Sequence, residues 1–375
     1  MPSAQSDFFF IADISGYTRY LTESELEHAQ GILTTLLELL VEHTRPPLVV
    51  SELEGDAVFS YGRADNFLLG QTFVEKIERT YIAFRRAIES MVLNNSCKCR
   101  ACANIGSLDL KFFVHYGTAS LQRVGEHEKL VGSDVIVVHR LLKNHVIEQT
   151  GIRAYCLYTD AAVQQLGLGE LLSGFTEHSE TYEHLGEVKV WVQDMHPVWE
   201  HERNTHTIEI APGQVALRLV TEIALPPEVV WDYMSRPEFL QTLYAAAQPV
   251  TVKGPTGRVG SGHVYQCYHG DHLLPITIME WRPLQRLLTH GLMPIPIPNT
   301  YALVDCSLEP TAAGTRLTQV FTKATSGPWL GRQMISLMLP LMSKTAQRDL
   351  DKFKQQVEDD FAARFGVRAP VAVMA

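Results

Sequence analysis

The sequence predicts an α+β protein of two domains: an α/β sandwich, then a run of strands closed by a long C-terminal helix. Three observations carry this. The 375 residues exceed what one ordinary core organises. The first half alternates short apolar runs with segments of helical period. The second half is a series of strand-like runs with Gly and Pro turns, closed by one long helical pattern. The expected domains are residues 1–195 and 216–362, with a polar linker at 196–215 and a tail at 363–375.

Residues 8–13 (FFFIAD) read as a buried strand. Residues 23–43 read as a helix, with Leu26, Ala29, Leu33, Leu36, Leu37 and Leu40 at helical spacing. Thr22 is the expected N-cap, with Glu25 completing a capping box, and Pro46-Pro47 stops the helix. Two strands, 48–53 and 57–61, flank a turn at Glu54-Gly55-Asp56. A helix at 66–93, a strand at 108–116, a helix at 133–144 and a closing strand at 182–193 complete the half. Beyond the linker come a strand at 215–225, a helix begun by Pro226-Pro227, strands from 250 to 322, and a helix at 329–361. In that last helix Ile335, Leu339, Met342, Ala346, Leu350 and Phe353 form an apolar stripe.

Hydrophobic residues make up 46% of the chain and charged ones 20%, the balance of a globular protein. A net charge of −10 without a long basic run argues against a nucleic-acid partner held through phosphates. The start, MPSAQSD, has no signal-peptide pattern, and no run is apolar enough to span a bilayer. Six cysteines in this length do not make a disulfide framework. The expectation is a cytoplasmic protein with reduced thiols.

Asp13 ends a buried strand and Asp56 sits in a turn between two strands. Turns at strand ends bring carboxylates together, and paired carboxylates repel unless a cation neutralises them. Mg²⁺ or Mn²⁺ takes such oxygen ligands, usually with substrate phosphates. The plainer alternative is that Asp13 caps its turn and Asp56 serves the hairpin.

The surrounding residues sharpen the choice. FFFIADISGYTRYL (8–21) resembles the first metal-binding motif of class III nucleotidyl cyclases, and LEGDAVFSYG (53–62) their second. LKFFVHYGTA, VGSDVIVVHRLLKN and GEVKVWV resemble, in order, their glycine-turn strand, their catalytic helix and their closing strand. The resemblance covers 8–193 and implies a ferredoxin-like, cyclase-type sandwich. It also implies a homodimer with a purine nucleotide at its interface. It assigns Asp13, Asp56 and the carbonyl of Ile14 to Mg²⁺ or Mn²⁺, Arg140 to transition-state charge on phosphate, and Glu52 and Lys129 to the base. Glu52 stands where adenylate cyclases carry lysine and guanylate cyclases glutamate. Three departures count against efficient cyclisation: Ile136 occupies the place of the family's asparagine, Lys129 stands at a base-reading position that is usually Asp or Cys, and the phosphate-binding lysine falls near Glu187, with Lys189 beyond it. The chain also resembles bacterial two-domain proteins of unknown function.

In NSCKCRACAN (95–104), Cys97, Cys99 and Cys102 suit Zn²⁺, with a fourth ligand still to be found. By residue type alone, His115 and Cys156 are candidates. Three reduced, redox-sensitive thiols on a loop are the alternative.

In the second half, LRLVTEIALPPEVVWDYMSRPEFL and the strands after it resemble the START/polyketide-cyclase-like (SRPBCC, Bet v 1-like) superfamily over 216–362. That implies a helix-grip fold with a deep cavity for an apolar small molecule or lipid. His263, His269, His272, His290 and Glu280 are scattered polar candidates without a nucleophile–base pairing. Met334, Met338 and Met342 suit an adaptable wall, and MPIPIP (293–298) a rigid mouth. The combined reading is a signalling protein whose metal-dependent, cyclase-like domain is coupled to a ligand-binding domain. Its rivals are a non-catalytic nucleotide or lipid sensor, and small-molecule binding or conversion in the second half.

Overall fold

A first strand buried on both faces organises the N-terminal unit. The computed structural model describes residues 5–63, 68–94, 97, 99–124, 127–244, 246–254, 257–270 and 272–365. The chain divides into two compact units, Met1–Thr205 and His206–Ala375. Among the described residues, no helix is long and apolar enough to cross a membrane.

The first unit runs β1 (Gln5–Ser15), α1 (Tyr17–Thr22), α2 (Leu26–Thr44), β2 (Val49–Glu54), β3 (Ala57–Arg63), α3 (Gly70–Leu93) and α4 (Arg100–Asn104). It continues with β4 (Asp109–Val124), β5 (His127–Val131), α5 (Ser133–Arg140), α6 (Val146–Thr150), β6 (Tyr155–Thr159), α7 (Asp160–Leu166), β7 (Thr176–Tyr182), β8 (Gly186–Asp194) and α8 (His196–Asn204). The sheet order is β2-β3-β1-β4-β6-β8-β7, with β5 paired to β4. β1 pairs antiparallel with both β3 and β4, and β4 runs parallel to β6.

The unbroken run FFFIA follows from double burial. Phe8 and Phe10 face the helical layer, where Phe8 meets Phe73 of α3. Phe9 and Ile11 face the other way, into a core shared with Phe59, Phe113, and Val135, Val138 and Leu141 around α5. Asp13 is the next residue on that second face, since side chains alternate along a strand.

Several boundaries differ from expectation. Thr22 ends α1, its hydroxyl donating to the Arg19 carbonyl, and Glu25 is itself the N-cap of α2. The expected helix start at residue 66 lies outside the described residues. The helix expected through 144 stops at Arg140, after which Asn144 caps the next turn: its amide donates to the Leu141 carbonyl, and its oxygen accepts from Val146 N. The closing strand resolves into the β7–β8 hairpin. The stretch expected as linker opens with α8, because Pro197 suits a helix start and Trp199 is buried.

The second unit comprises β9 (Val215–Ile223), α9 (Pro227–Ser235), α10 (Leu240–Leu243), β10 (Thr251–Lys253), β11 (Val264–His269) and β12 (His272–Arg282). Then follow β13 (Arg286–Leu292), β14 (Tyr301–Thr311), β15 (Gly314–Thr322), α11 (Trp329–Leu341) and α12 (Ser343–Phe365). Its seven strands form one antiparallel sheet in the order β10-β11-β12-β13-β14-β15-β9. Helix α12 packs against β9 and buries Leu350, Phe353 and Val357. The long helix expected at 329–361 is two helices, broken after Leu341. Pro340 has no N–H to donate and crowds the preceding turn. Taken together, the chain is α+β with two sheets, as expected.

Candidate functional site

The chain leaves β1 where the β2–β3 hairpin turns, so Asp13 and Asp56 meet at one end of the sheet. Asp13 lies in register with Ala57 of β3, and Ile14 N donates to the Asp56 carbonyl at 3.1 Å. Gly55, at φ 69°, makes the two-residue turn that holds Asp56 there. Because N–H and C=O of one strand residue point to the same edge, the Ile14 carbonyl faces the same turn.

The electrostatics of the pair are unfavourable for anions. Burial, then the charge of Asp56, pushes the Asp13 carboxyl up to about 6 against the attraction of Lys111. Burial also raises Asp56, against a hydrogen bond from its own amide. Two crowded, partly desolvated carboxylates with a backbone carbonyl beside them form a hard-oxygen donor set that fits Mg²⁺ or Mn²⁺. No sequence motif marks Lys111. It is the β4 residue directly opposite Asp13, and its ammonium lies 5.5 Å from the Tyr155 ring centre.

Helix α5 is fastened to the same corner. His139 Nε2 pairs with Glu54 at 2.9 Å, its Nδ1 bonds the Val135 carbonyl, and its ring meets Phe59 edge-on. Arg140 is therefore the exposed last residue of a helix tied to the turn that carries Asp56, and its charge acts on Tyr182. Ile136, in the place of the asparagine, is 54% exposed. Glu52 and Lys129, expected to read a base, meet in an ion pair of 3.3 Å. Lys189 is engaged elsewhere, with Glu177 at 3.0 Å and over the Trp191 ring. Gly16 does not leave open space on its Cβ side: a methyl group there would stand 3.3 Å from the Ser107 carbonyl, and its φ of 89° serves the turn into α1.

Cys97, Cys99 and Cys102 come together beside α2, and none forms a disulfide. The fourth group at this cluster is His28, not His115 or Cys156. His115 is buried, with Nδ1 on Thr159 Oγ1 and Nε2 on Asp134. Asp134 also accepts from Thr118 N, and a side chain at Gly117 would collide with it, which explains the glycine two residues after His115. Cys156 is fully buried in β6, paired with Phe112. No spacing rule pointed to His28, which lies on the solvent face of α2.

In the second unit Glu280 is buried, and two arginines hold it, Arg282 at 2.6 Å and Arg286 at 3.0 Å. It also accepts from Ile208 N, so its role is to fasten the start of this unit. His263 is buried with its Nδ1 on the Gly260 carbonyl, while His290 bonds Thr325 and stacks on Tyr301. His269 and His272 face each other across β11 and β12.

A family model described as a protein of unknown function (DUF2652) matches residues 33–150. That range holds Glu52, Asp56, the three cysteines and Arg140, and excludes Asp13 and His28. An uncharacterized protein of Mycobacterium tuberculosis is 29% identical over 170 residues, 44% of this chain and 76% of that protein. Among solved structures, a bacterial light-regulated adenylyl cyclase is similar at 14% identity and TM-score 0.40, covering 52% of this chain and 52% of its own. This chain thus spans about half the length of that structure. The adenylyl cyclase CyaB from P. aeruginosa is similar at 12% identity and TM-score 0.36, over 51% of this chain and 95% of its own.

Proposed function

We propose that the first unit is a divergent nucleotidyl cyclase-like module that binds a purine nucleoside triphosphate with a divalent cation. The observation that carries the reading is the meeting of Asp13 and Asp56, each held above its ordinary carboxylate range by burial. Asp13, Asp56 and the Ile14 carbonyl would hold Mg²⁺ or Mn²⁺. The ion, when bound, neutralises the two carboxylates and the phosphates and polarises the α-phosphate. Lys111 adds a positive charge on the same face. Arg140 is suited to phosphate by its planar, permanently charged guanidinium.

Glu52 and Lys129 favour guanine. A carboxylate accepts from N1–H and N2–H together, and the ammonium donates to O6. Ile136 cannot hydrogen-bond a ribose, so binding exceeds turnover in this reading. The exposed apolar side chains Val49, Leu53, Leu121 and Ile136 leave room for contact with a second copy, and light scattering on the full chain tests the homodimer.

Calorimetry with GTP, with and without Mn²⁺, tests the site. Cation-dependent binding is expected, weakened at least about tenfold in Asp13→Asn and in Asp56→Ala. Chromatography of the products then separates sensor from enzyme: cyclic nucleotide is expected at trace level. Binding that ignores Mn²⁺ or either substitution refutes the assignment.

For the second unit, we propose an apolar small molecule or lipid as ligand. Helix α11 supports this, with Trp329 66%, Leu337 68% and Leu341 84% exposed. Native mass spectrometry of the purified chain should reveal a copurified hydrophobe. Signalling then requires reciprocity: that ligand must change nucleotide affinity by the same factor as nucleotide changes its own.

A further inference from the structure

We propose that His28, Cys97, Cys99 and Cys102 form a closed, four-ligand structural Zn²⁺ site that braces the loop after β1. This goes beyond the nucleotide reading and does not depend on it. Three cysteines within six residues supply soft donors, and the fold brings one imidazole to them from α2, 69 residues before Cys97. His28 Nδ1 lies 3.2 Å from Cys99 Sγ, 3.6 Å from Cys97 Sγ and 3.8 Å from Cys102 Sγ. All four donor atoms fall within 4.8 Å of one another.

Tetrahedral zinc fixes what those separations should be. Bonds of about 2.3 Å to sulfur and about 2.05 Å to nitrogen place S and N about 3.6 Å apart, and two sulfurs about 3.8 Å apart. The three observed N–S spacings centre on the first of these values, and the sulfurs lie within 4.8 Å of one another. A disulfide would draw two sulfurs to about 2.05 Å, and no pair of these cysteines does so. Cys99 Sγ also accepts from Cys102 N at 3.4 Å, an amide–sulfur bond that orients a thiolate toward an ion. A recess lined by Glu25, Leu26, Glu27, His28 and Cys99 gives the ion an access route from solvent.

Four protein ligands leave no open position, so the site is structural rather than catalytic. Its mechanical role follows from its neighbours. Glu25, one turn before His28, accepts from Ala101 N at 3.0 Å, and Tyr20 of α1 donates to the Ala101 carbonyl at 3.1 Å. A few residues on, the Ser107 carbonyl closes against Gly16. The ion would therefore lock α2 and the α3–β4 connection together around the turn that follows Asp13.

The test uses the full, tag-free chain purified with zinc and dialysed. Elemental analysis should find about one Zn²⁺ per chain, released by a thiol-reactive mercurial. Replacing zinc by Co²⁺ should give intense tetrahedral d–d absorption with thiolate charge transfer. Cys97→Ser and His28→Ala should each weaken zinc at least 10- to 100-fold, the cost of losing even an outer-shell partner. His28→Cys keeps the ion and moves the cobalt bands to longer wavelength. That variant keeps the test decisive if the others fail to fold, as does the wild-type spectrum alone. Asp13→Asn should leave zinc content unchanged, which separates this site from the nucleotide site. Reduced wild-type protein that refuses zinc, a weak octahedral cobalt spectrum, a stoichiometric disulfide, or wild-type affinity in His28→Ala would each overturn the proposal.

Discussion

Asp13→Asn should stabilise the metal-free protein at neutral pH. Folding moves this carboxyl from its ordinary 3.8 to about 6, mainly by burial and secondly through Asp56. A raised acid binds its proton more tightly folded than unfolded. Its ionised form therefore opposes folding: the cost grows as pH rises from 3.8 to about 6 and is constant above that. At about 1.4 kcal/mol per pH unit, the full span is worth about 3 kcal/mol. Residual solvation of the partly exposed carboxylate reduces the working figure to about 1–3 kcal/mol. Asparagine is shaped like the protonated acid and carries no charge, so it escapes this cost. At about 2–4 °C per kcal/mol for a unit of this size, the melting point should rise by roughly 2–12 °C at pH 7.5 without metal. Differential scanning calorimetry from pH 4 to 8 reads it. The gap between variant and wild type must shrink toward zero as pH falls to 4. Mn²⁺ at about a hundred times the wild-type dissociation constant should raise the wild type by about 2.7 kcal/mol and the variant by no more than about 1.4 kcal/mol. A variant no more stable than wild type at pH 7.5, or a gap that widens on acidification, refutes the reasoning.

Three further outcomes are expected. His139→Ala breaks the part-buried bond to Glu54 and should cost about 1.5–3 kcal/mol by urea denaturation, while weakening nucleotide binding through the displaced Arg140. The double exchange Glu52→Lys with Lys129→Asp should leave stability within about 1 kcal/mol, because the pair is largely exposed, and should turn a calorimetric preference for GTP toward ATP. His145 bonds Glu180, which raises the imidazole above its ordinary 6.5; the stability of that contact is fully present below 6.5 and lost as pH rises through the raised value. An NMR titration should find the His145 midpoint above 6.5, and Glu180→Gln should bring it back.

The sequence reading found the elements whose burial is written in their period. FFFIA shows as a strand because both of its faces are covered, and Asp13 shows because it interrupts that run. Asp56 shows because glycine precedes it in a two-residue turn. Lys111 was hidden, since only the register of β1 on β4 sets it opposite Asp13. His28 was hidden for a related reason: on an amphipathic helix a solvent-facing histidine is unremarked until tertiary contacts bring Cys97–Cys102 to it. The break near Pro340 was legible and was overridden by the apolar stripe, although proline cannot continue the hydrogen-bond ladder. Thr22 and Glu25 matched a capping box by type, but Glu25 is drawn to Ala101 N and α2 begins a turn later.

The energetic asymmetry between residues 13 and 136 bears on what the site is for. Asp13 opposes folding in the absence of a cation, so packing offers no reason for a carboxylate there. Under the proposed reading, the reason is a cation that neutralises it. Position 136 carries no such conflict. Its side chain is 54% exposed on α5, and the buried contacts of that helix are made by Val135 and Val138. Asparagine would fold there about as well as isoleucine, at a helix-propensity difference of a few tenths of a kcal/mol. Among the described residues, no packing contact requires an apolar residue at 136, whereas the proposed nucleotide site would use a hydrogen-bonding group there. The chain thus retains the residue that is costly to fold and that a metal–nucleotide complex would use. At 136 it lacks a residue that is inexpensive to fold and that turnover would use. That combination is the one expected of a module whose output is the bound state.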